Sequence, residues 1–365
     1  YNHFIPASVK SLMTRGEFLT AYTPYQPEVS QGTLQVIYEF QSLIANLYDM
    51  EVANAGMYDG ATSLAEGVLM ACRVTKRDEV IILDSVSPLY QQVIHTYCQA
   101  QGINITTDSA SNLSPSEKTA CVVSQYPNFI GGIEDIAGHS AKAHNCGGLL
   151  VVSTNPLAMG MLKSPGEYGA DIVTGEGQPL GIPTSYGGPY LGLFATKQEY
   201  IRQMPSRIVG RTVDTNGKNG YVLTLQTREQ HIRRHRATSN ICSNETLIAL
   251  MGAIHMSLLG PEGLERLSLR IAAATETTRR AITRIDSVEL AYPDSSHFRE
   301  LAIRVPGKAF NALQYLDSIG VIGGLDLGTW WDGMSDCILL GVDERTSERD
   351  IEELTSGLSR WSAGR

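Results

Sequence analysis

Residues 169–192 read GADIVTGEGQPLGIPTSYGGPYLG. Short apolar runs near both ends predict two strands, and the segment between them is rich in glycine and proline. Glycine is tolerated in such a segment where the backbone turns sharply or where a large group approaches it closely. The stretch therefore predicts a strand, a tight turn and a second strand.

This layout resembles the turn around the lysine that carries pyridoxal phosphate (PLP) in aminotransferase-like enzymes. In that place this chain has Gln178, and no lysine falls between Lys163 and Lys197. A glutamine side chain cannot form a Schiff base, because its amide nitrogen is not a nucleophilic amine. The alternative is an ordinary glycine-rich loop in which no lysine was lost.

The composition indicates a globular protein. With 365 residues, of which 42% are hydrophobic and 18% charged, the chain is long enough for one large domain and a smaller one. The net charge of -9 argues against a nucleic-acid partner. No apolar run approaches the roughly 20 residues of a membrane helix, so we expect no membrane association.

Six cysteines are scattered without a CxxC pair, which argues against a metal site or a disulfide framework and favours a reducing compartment. The chain opens YNHFIPASVK, which has the pattern of neither a signal peptide nor a transit peptide. Because it also lacks an initiator methionine, we expect a native N-terminal segment to be missing.

Short apolar runs alternate with helical patterns in the first half of the chain. Strands are predicted at 79–83, 119–124 and 148–152, and helices at 87–101 and 133–145. This alternation predicts an α/β fold with a mostly parallel sheet. Ligands gather at the carboxyl ends of the strands in such sheets.

Residues 57–67, MYDGATSLAEG, lie at one such strand end and lead into a predicted helix. Free backbone N–H groups at a helix N-terminus form a natural anion site, here near Asp59. The alternative is an ordinary aspartate N-cap, which the spacing alone favours.

A loop at 16–32 contains two prolines and is predicted to be too broken for a helix. It presents Tyr22, Tyr25 and Glu28, either toward a pocket or as surface residues that fill a gap.

The segment 228–244 reads REQHIRRHRATSNICSN, a basic patch in an acidic protein. Glu229 and Arg233 are four residues apart and are predicted to pair on a helix. The cations of the patch are either an anion-binding edge or a solvated face, and the hydroxyl and amide groups that follow them suit phosphate or carboxylate recognition.

The remaining sequence predicts a smaller α+β domain. Helices are expected at 246–259, 262–285, 309–318 and 347–358, and strands at 298–305 and 337–342. We therefore predict a large domain at 1–260 and a small C-terminal domain at 261–365.

Several long strings resemble one family, glycine decarboxylase, the P-protein of the glycine cleavage system, and most of all its alpha, N-terminal-half subunit. They are AYTPYQPEVSQG (21–32), MYDGATSLAEG (57–67), GADIVTGEGQPLGIP (169–183), YGGP (186–189), LTLQTREQHIRRHRATSNIC (223–242), GGLDLG (323–328) and DCILLGVDERT (336–346). They are spread over the whole chain.

The resemblance implies a PLP-dependent fold of type I, with a seven-stranded mixed sheet and a small C-terminal domain. It also implies an oxidoreductase, glycine dehydrogenase (aminomethyl-transferring), in which PLP serves as electron sink. Glycine loses CO₂, and its aminomethyl group passes to the lipoylated H-protein. Gln178 replaces the Schiff-base lysine, and 153–155 lack the aspartate that would pair with the pyridine nitrogen. We therefore expect the PLP to be carried by a beta subunit, so that this chain is active only with its partner.

The resemblance further implies roles for the remaining motifs. Ser239 and Asn240 would approach the phosphate of the partner's PLP. Tyr22, Tyr25 and Glu28 would face the glycine site or the tunnel to it. Arg228, His231 and Arg234 would line its mouth or hold the local fold. The expected assembly is an α2β2 heterotetramer in a bacterial or archaeal cytoplasm. Two alternatives stay open, a stand-alone PLP-dependent lyase or aminotransferase and a non-catalytic pseudoenzyme scaffold.

Overall fold

The computed structural model describes residues 1–20, 22–24 and 26–364, which form two compact units. The large unit comprises 4–126 and 135–264, and the small unit comprises 1–3, 127–134 and the chain from 265 onward. The domain boundary between residues 260 and 261 stays a prediction, since compactness does not by itself define a folding domain.

Ten α-helices and thirteen strands lie within the described residues. The helices are α1 (Ala7–Met13), α2 (Gly16–Leu19), α3 (Gln31–Tyr48), α4 (Gly60–Thr75), α5 (Pro88–Gln99), α6 (Ile136–Asn145), α7 (Gln230–Arg233), α8 (Thr246–Ile282), α9 (Ala309–Ser318) and α10 (Glu348–Ala363). The strands are β1 (Val52–Ala53), β2 (Glu79–Leu83), β3 (Asn104–Asp108), β4 (Thr119–Tyr126), β5 (Leu149–Thr154), β6 (Ile172–Glu176), β7 (Gly192–Thr196), β8 (Ile208–Val213), β9 (Asn219–Thr224), β10 (Glu289–Leu290), β11 (Glu300–Arg304), β12 (Leu325–Asp326) and β13 (Cys337–Gly341).

The large unit is built on a seven-stranded sheet with the order β1-β7-β6-β5-β4-β2-β3. The five strands from β6 to β3 are parallel to their neighbours, whereas β7 is antiparallel to both β6 and β1. Every residue of β5 is buried, which explains its continuous apolar run. The predicted α/β class and the mixed seven-stranded sheet are both confirmed.

Helix α4 packs on this sheet, against β4, β5, β6 and β7. A Cβ atom at Gly67 would lie 3.1 Å from the Cγ1 atom of Val151, so glycine lets the helix approach the sheet closely. The N-terminus of α4, at Gly60, lies beside Glu176 at the carboxyl end of β6. This placement brings the predicted anion site next to the turn that holds Gln178.

Helix α8 corrects the expectation that no apolar run approaches the length of a membrane helix. By length and composition it is the one described helix that could cross a membrane. The core helix of a soluble protein can have the same composition, and Ala249, Leu250 and Met251 are buried in the large unit. Gly260 breaks the helix with a left-handed φ of 62°, as the Gly-Pro pair predicts.

The small unit contains the antiparallel sheet β10-β11-β13-β12 with helices α9 and α10. Its buried core includes Ile282, Leu301, Ile303, Leu316, Ile338, Leu340 and Leu358. The predicted small α+β arrangement agrees with these elements.

Two local expectations are wrong. The segment 16–32 was expected to exclude helix, yet α2 and a 3₁₀ turn at Pro27–Val29 form within it. Proline at the first helical position supplies a suitable φ and needs no N–H partner, which explains the 3₁₀ turn. The predicted helix after residue 228 is reduced to the four residues of α7.

Candidate functional site

Gln178 lies in the turn after β6, and its side chain is buried. Its backbone N–H donates to Glu176 Oε1 over 2.9 Å. Its side-chain Nε2 donates to the Ile182 carbonyl oxygen over 2.7 Å. The amide therefore holds the conformation of the turn in the place where the family resemblance implies a lysine.

Glu176 is the main residue that the sequence analysis does not identify. Its Oε2 accepts a hydrogen bond from the Gly60 N–H over 2.9 Å, and its Oε1 accepts from the Gln178 and Leu191 N–H groups over 2.9 and 3.4 Å. Burial raises the pKa of Glu176 to about 7, although these three donors act in the opposite direction. The carboxyl group is thus held by backbone donors from three segments.

The start of α4 is also capped by its own aspartate. Asp59 Oδ1 accepts from the Thr62 N–H over 2.9 Å, so the ordinary N-cap is the arrangement observed. A Cβ atom at Gly60 would lie 2.6 Å from the hydroxyl oxygen of Tyr90 and 2.9 Å from the Cβ atom of Glu176. Donors of the first helical turn are therefore used by two carboxylates of the chain itself, in a crowded space.

The carboxyl end of β5 carries no acid. Thr154 Oγ1 donates to the Tyr126 carbonyl oxygen, and the Asn155 side chain accepts from the Leu157 N–H over 3.0 Å. These groups complete local backbone hydrogen bonding. Together with Gln178 and the occupied N-terminus of α4, they do not fit a PLP group held by this chain alone.

Arg228 is buried and hydrogen-bonded to three backbone carbonyl groups. Its Nε donates to Leu225 over 3.1 Å and its Nη2 to Ser206 over 2.9 Å, while Nη1 donates to Met204. Burial lowers the pKa of Arg228. This guanidinium group therefore links the backbone at residue 225 to the backbone at residues 204–206.

The predicted pair of Glu229 and Arg233 does not form. Glu229 is the N-cap residue of the short helix α7, and its carboxylate lies 3.6 Å from Arg207 Nε and 3.6 Å from His231 Nδ1. Arg207 lies 22 positions before Glu229 in the chain, so a local helical rule cannot find this partner.

His231 lines a cavity of about 340 Å³ together with Arg207, Glu229 and Cys242. The loop residues at this cavity are Thr23, Pro24 and Pro27. Thr23 Oγ1 accepts a hydrogen bond from Arg207 Nη1. The loop and the basic segment thus meet here, as a shared site would require.

The other predicted loop residues lie elsewhere. Tyr22 is 76% exposed and borders a separate small depression with Phe18 and Leu250. Glu28 is exposed, within the 3₁₀ turn. Tyr25 lies outside the described residues.

A second cavity, of about 520 Å³, brings together Arg234, Ser239 and Asn240. The Ser239 hydroxyl donates to Oε1 of Glu66 over 2.7 Å. Glu66 is 2% exposed, and burial raises the pKa of its carboxyl group. Its Oε2 has no hydrogen-bond partner among the described residues. The predicted phosphate-contacting pair therefore borders a polar cavity with an acidic floor.

The sequence matches the family described as glycine cleavage system P-protein over residues 1–358. The chain belongs to this family. A protein of Desulforamulus reducens called probable glycine dehydrogenase (decarboxylating) subunit 1 is 47% identical, covering 99% of this chain and 83% of that relative. The protein of the same description from Thermomicrobium roseum is 46% identical, covering 100% and 83%.

Solved structures agree with this assignment. A crystal structure of glycine decarboxylase (P-protein) of the glycine cleavage system, in inhibitor-bound form, superimposes with a TM-score of 0.94 at 42% identity, covering 98% of this chain and 82% of that chain. A NifS-like protein with 10% identity and a TM-score of 0.72 over the whole chain shares the fold alone. The predicted family and the PLP-dependent fold of type I are confirmed.

Proposed function

We propose that this chain acts as the alpha subunit, subunit 1, of a glycine dehydrogenase (decarboxylating) of the glycine cleavage system. The observation that carries the proposal is Gln178, which stands buried and hydrogen-bonded in the turn where the family resemblance implies the Schiff-base lysine. A partner beta subunit supplies the lysine and the PLP, and the complex acts on glycine and the lipoylated H-protein.

Within this proposal, Ser239 and Asn240 face the phosphate of the partner's PLP. Their position at the polar cavity with Arg234 supports this role, since a cation and small polar groups suit an anion. The Ser239 hydroxyl already donates to Glu66, and Asn240 is the more exposed of the two residues. Asn240 is therefore the stronger candidate donor to a phosphate.

We assign His231 to the mouth of the glycine site or its tunnel, because it lines the cavity that Thr23 and Pro24 of the loop also line. Tyr22, Tyr25 and Glu28 are proposed to approach the site only in the complex, since Tyr22 borders a separate depression in this chain. Arg228 is proposed to hold the fold beneath this cavity, which agrees with its three carbonyl partners.

We further propose an α2β2 assembly in a bacterial cytoplasm. The designation subunit 1 in bacterial relatives supports a partner chain.

The decisive experiment reconstitutes the chain with a lysine-bearing partner subunit. The visible spectrum is recorded with PLP before and after mixing, and borohydride reduction followed by peptide mapping locates any adduct. We expect no adduct on this chain alone, and in the complex a PLP band that responds to glycine together with CO₂ release. A specific adduct on the isolated chain would instead indicate a stand-alone enzyme.

Site variants separate an active subunit from a scaffold. His231→Ala and Tyr22→Phe are compared with Arg233→Ala, an exposed neighbour that lines neither cavity. We expect only the first two to reduce glycine turnover in the complex. Equal turnover in all three would favour a non-catalytic scaffold, and unchanged PLP affinity in Ser239→Ala/Asn240→Ala would contradict the phosphate role.

A further inference from the structure

The carboxyl group of Glu176 has the surroundings of a bound anion. It is reached by N–H groups from the start of α4, from the turn after β6 and from the residue before β7, at Gly60, Gln178 and Leu191. No ion pair joins it to any described residue. Backbone donors without a countercharge are also how helix N-termini hold phosphate and carboxylate ligands.

Two N–H groups at the N-terminus of α4 are already taken by carboxylates of the chain. Asp59 takes the Thr62 N–H, and Glu176 takes the Gly60 N–H. A phosphate group placed there would meet two carboxylates of like charge, and charges about 4 Å apart repel by several kcal/mol near a protein surface. Tyr90 and the side chain of Glu176 also fill the space around Gly60.

We propose that Glu176 is a built-in anion that closes the N-terminus of α4 to phosphate-bearing ligands and ties this helix to the turn after β6. Its carboxyl group takes the Gly60 N–H and two donors of the adjoining turn, which such a ligand would otherwise use. This role concerns the chain by itself and requires no partner subunit, so its test is independent of the proposed function.

The first test restores a lysine without removing the carboxylate. In Gln178→Lys, PLP at pH 8 followed by borohydride is expected to leave position 178 no more modified than the exposed Lys163. In Glu176→Ala/Gln178→Lys, we expect at least about tenfold higher occupancy at position 178, because the repulsion is gone. Equal occupancy in the single and double variants would overturn the proposal.

The second test asks whether free phosphate replaces the missing carboxylate. Glu176→Ala is expected to lower the melting temperature at pH 8, and inorganic phosphate is expected to restore part of it relative to chloride at equal ionic strength. The matched control is Gln178→Ala, which removes a buried, hydrogen-bonded side chain from the same turn and leaves the carboxylate of Glu176 in place. Its melting temperature should also fall, but phosphate should not restore it.

Each test remains informative if the other fails. Gln178→Lys keeps Glu176, so the first test stands even where Glu176→Ala does not fold, because the lone variant must then stay unmodified at position 178. Phosphate that stabilises the unaltered chain as much as Glu176→Ala would show an open site and refute the role. Neither result depends on glycine turnover by the complex.

Discussion

Replacing Glu176 by glutamine removes one titrating group and keeps its shape, so it isolates the effect of protonation on stability. Burial raises the pKa of this carboxyl group from 4.5 to about 7. The folded state therefore binds the proton more tightly than the unfolded state. The resulting stabilisation is complete below about pH 4.5 and is lost as the pH rises through about 7.

The size of this loss follows from the shift in pKa. One pKa unit corresponds to about 1.4 kcal/mol, so the shift contributes at most about 3 kcal/mol. With an unfolding entropy of about 2.1 cal/mol/K per residue, a chain of this length changes its melting temperature by about 4 °C. Between about pH 4.5 and 7, the melting temperature of the unaltered chain should fall by that amount relative to the melting temperature of Glu176→Gln.

The assay records melting temperatures of both proteins at closely spaced pH values, and the quantity of interest is their difference. A difference that stays constant from pH 5 to 8 would refute the raised pKa. A difference that moves in favour of the unaltered chain as the pH rises would show that the three backbone donors outweigh burial.

Two further predictions concern other parts of the large unit. Arg228→Ala should lower the free energy of unfolding by about 3 kcal/mol, because three carbonyl groups lose a charged donor, whereas exposed Arg233→Ala should change it by less than about 0.5 kcal/mol. Equal melting temperatures for these two variants would contradict the anchoring role. In the native protein a thiol reagent should modify exposed Cys242 first, because Cys98 and Cys121 are buried and burial raises the pKa of the Cys98 thiol to about 12. Peptide mapping that finds Cys98 labelled as fast as Cys242 would disprove this.

The fold follows from the sequence where local signals are sufficient. The bounds predicted for 79–83 and 309–318 agree with β2 and α9, because a buried apolar run and a helical apolar stripe are set by neighbouring residues. The helix predicted after residue 228 fails for the opposite reason. Glu229 pairs with Arg207, which a spacing of four along one helix cannot reveal.

The same distinction applies to the candidate site. Gln178, in the place where the family resemblance implies a lysine, can be recognised from the sequence, since it is a single residue in a recognisable turn. The role of Glu176 depends on Gly60, which lies 116 positions away along the chain. One local signal did exist, because Glu176 is the only charged residue between Asp171 and Lys197.

If this chain holds no cofactor, as we propose, the backbone donors at the start of α4 must still be satisfied. Each buried N–H group left without a partner costs about 1–3 kcal/mol, so an empty helix N-terminus between α4 and the turn after β6 would weaken both. Substitution of the lysine alone would leave that cost in place. Glu176 and Asp59 remove it from within the chain. Under the proposed function, a glutamine at position 178 and a carboxylate at position 176 therefore answer one physical requirement.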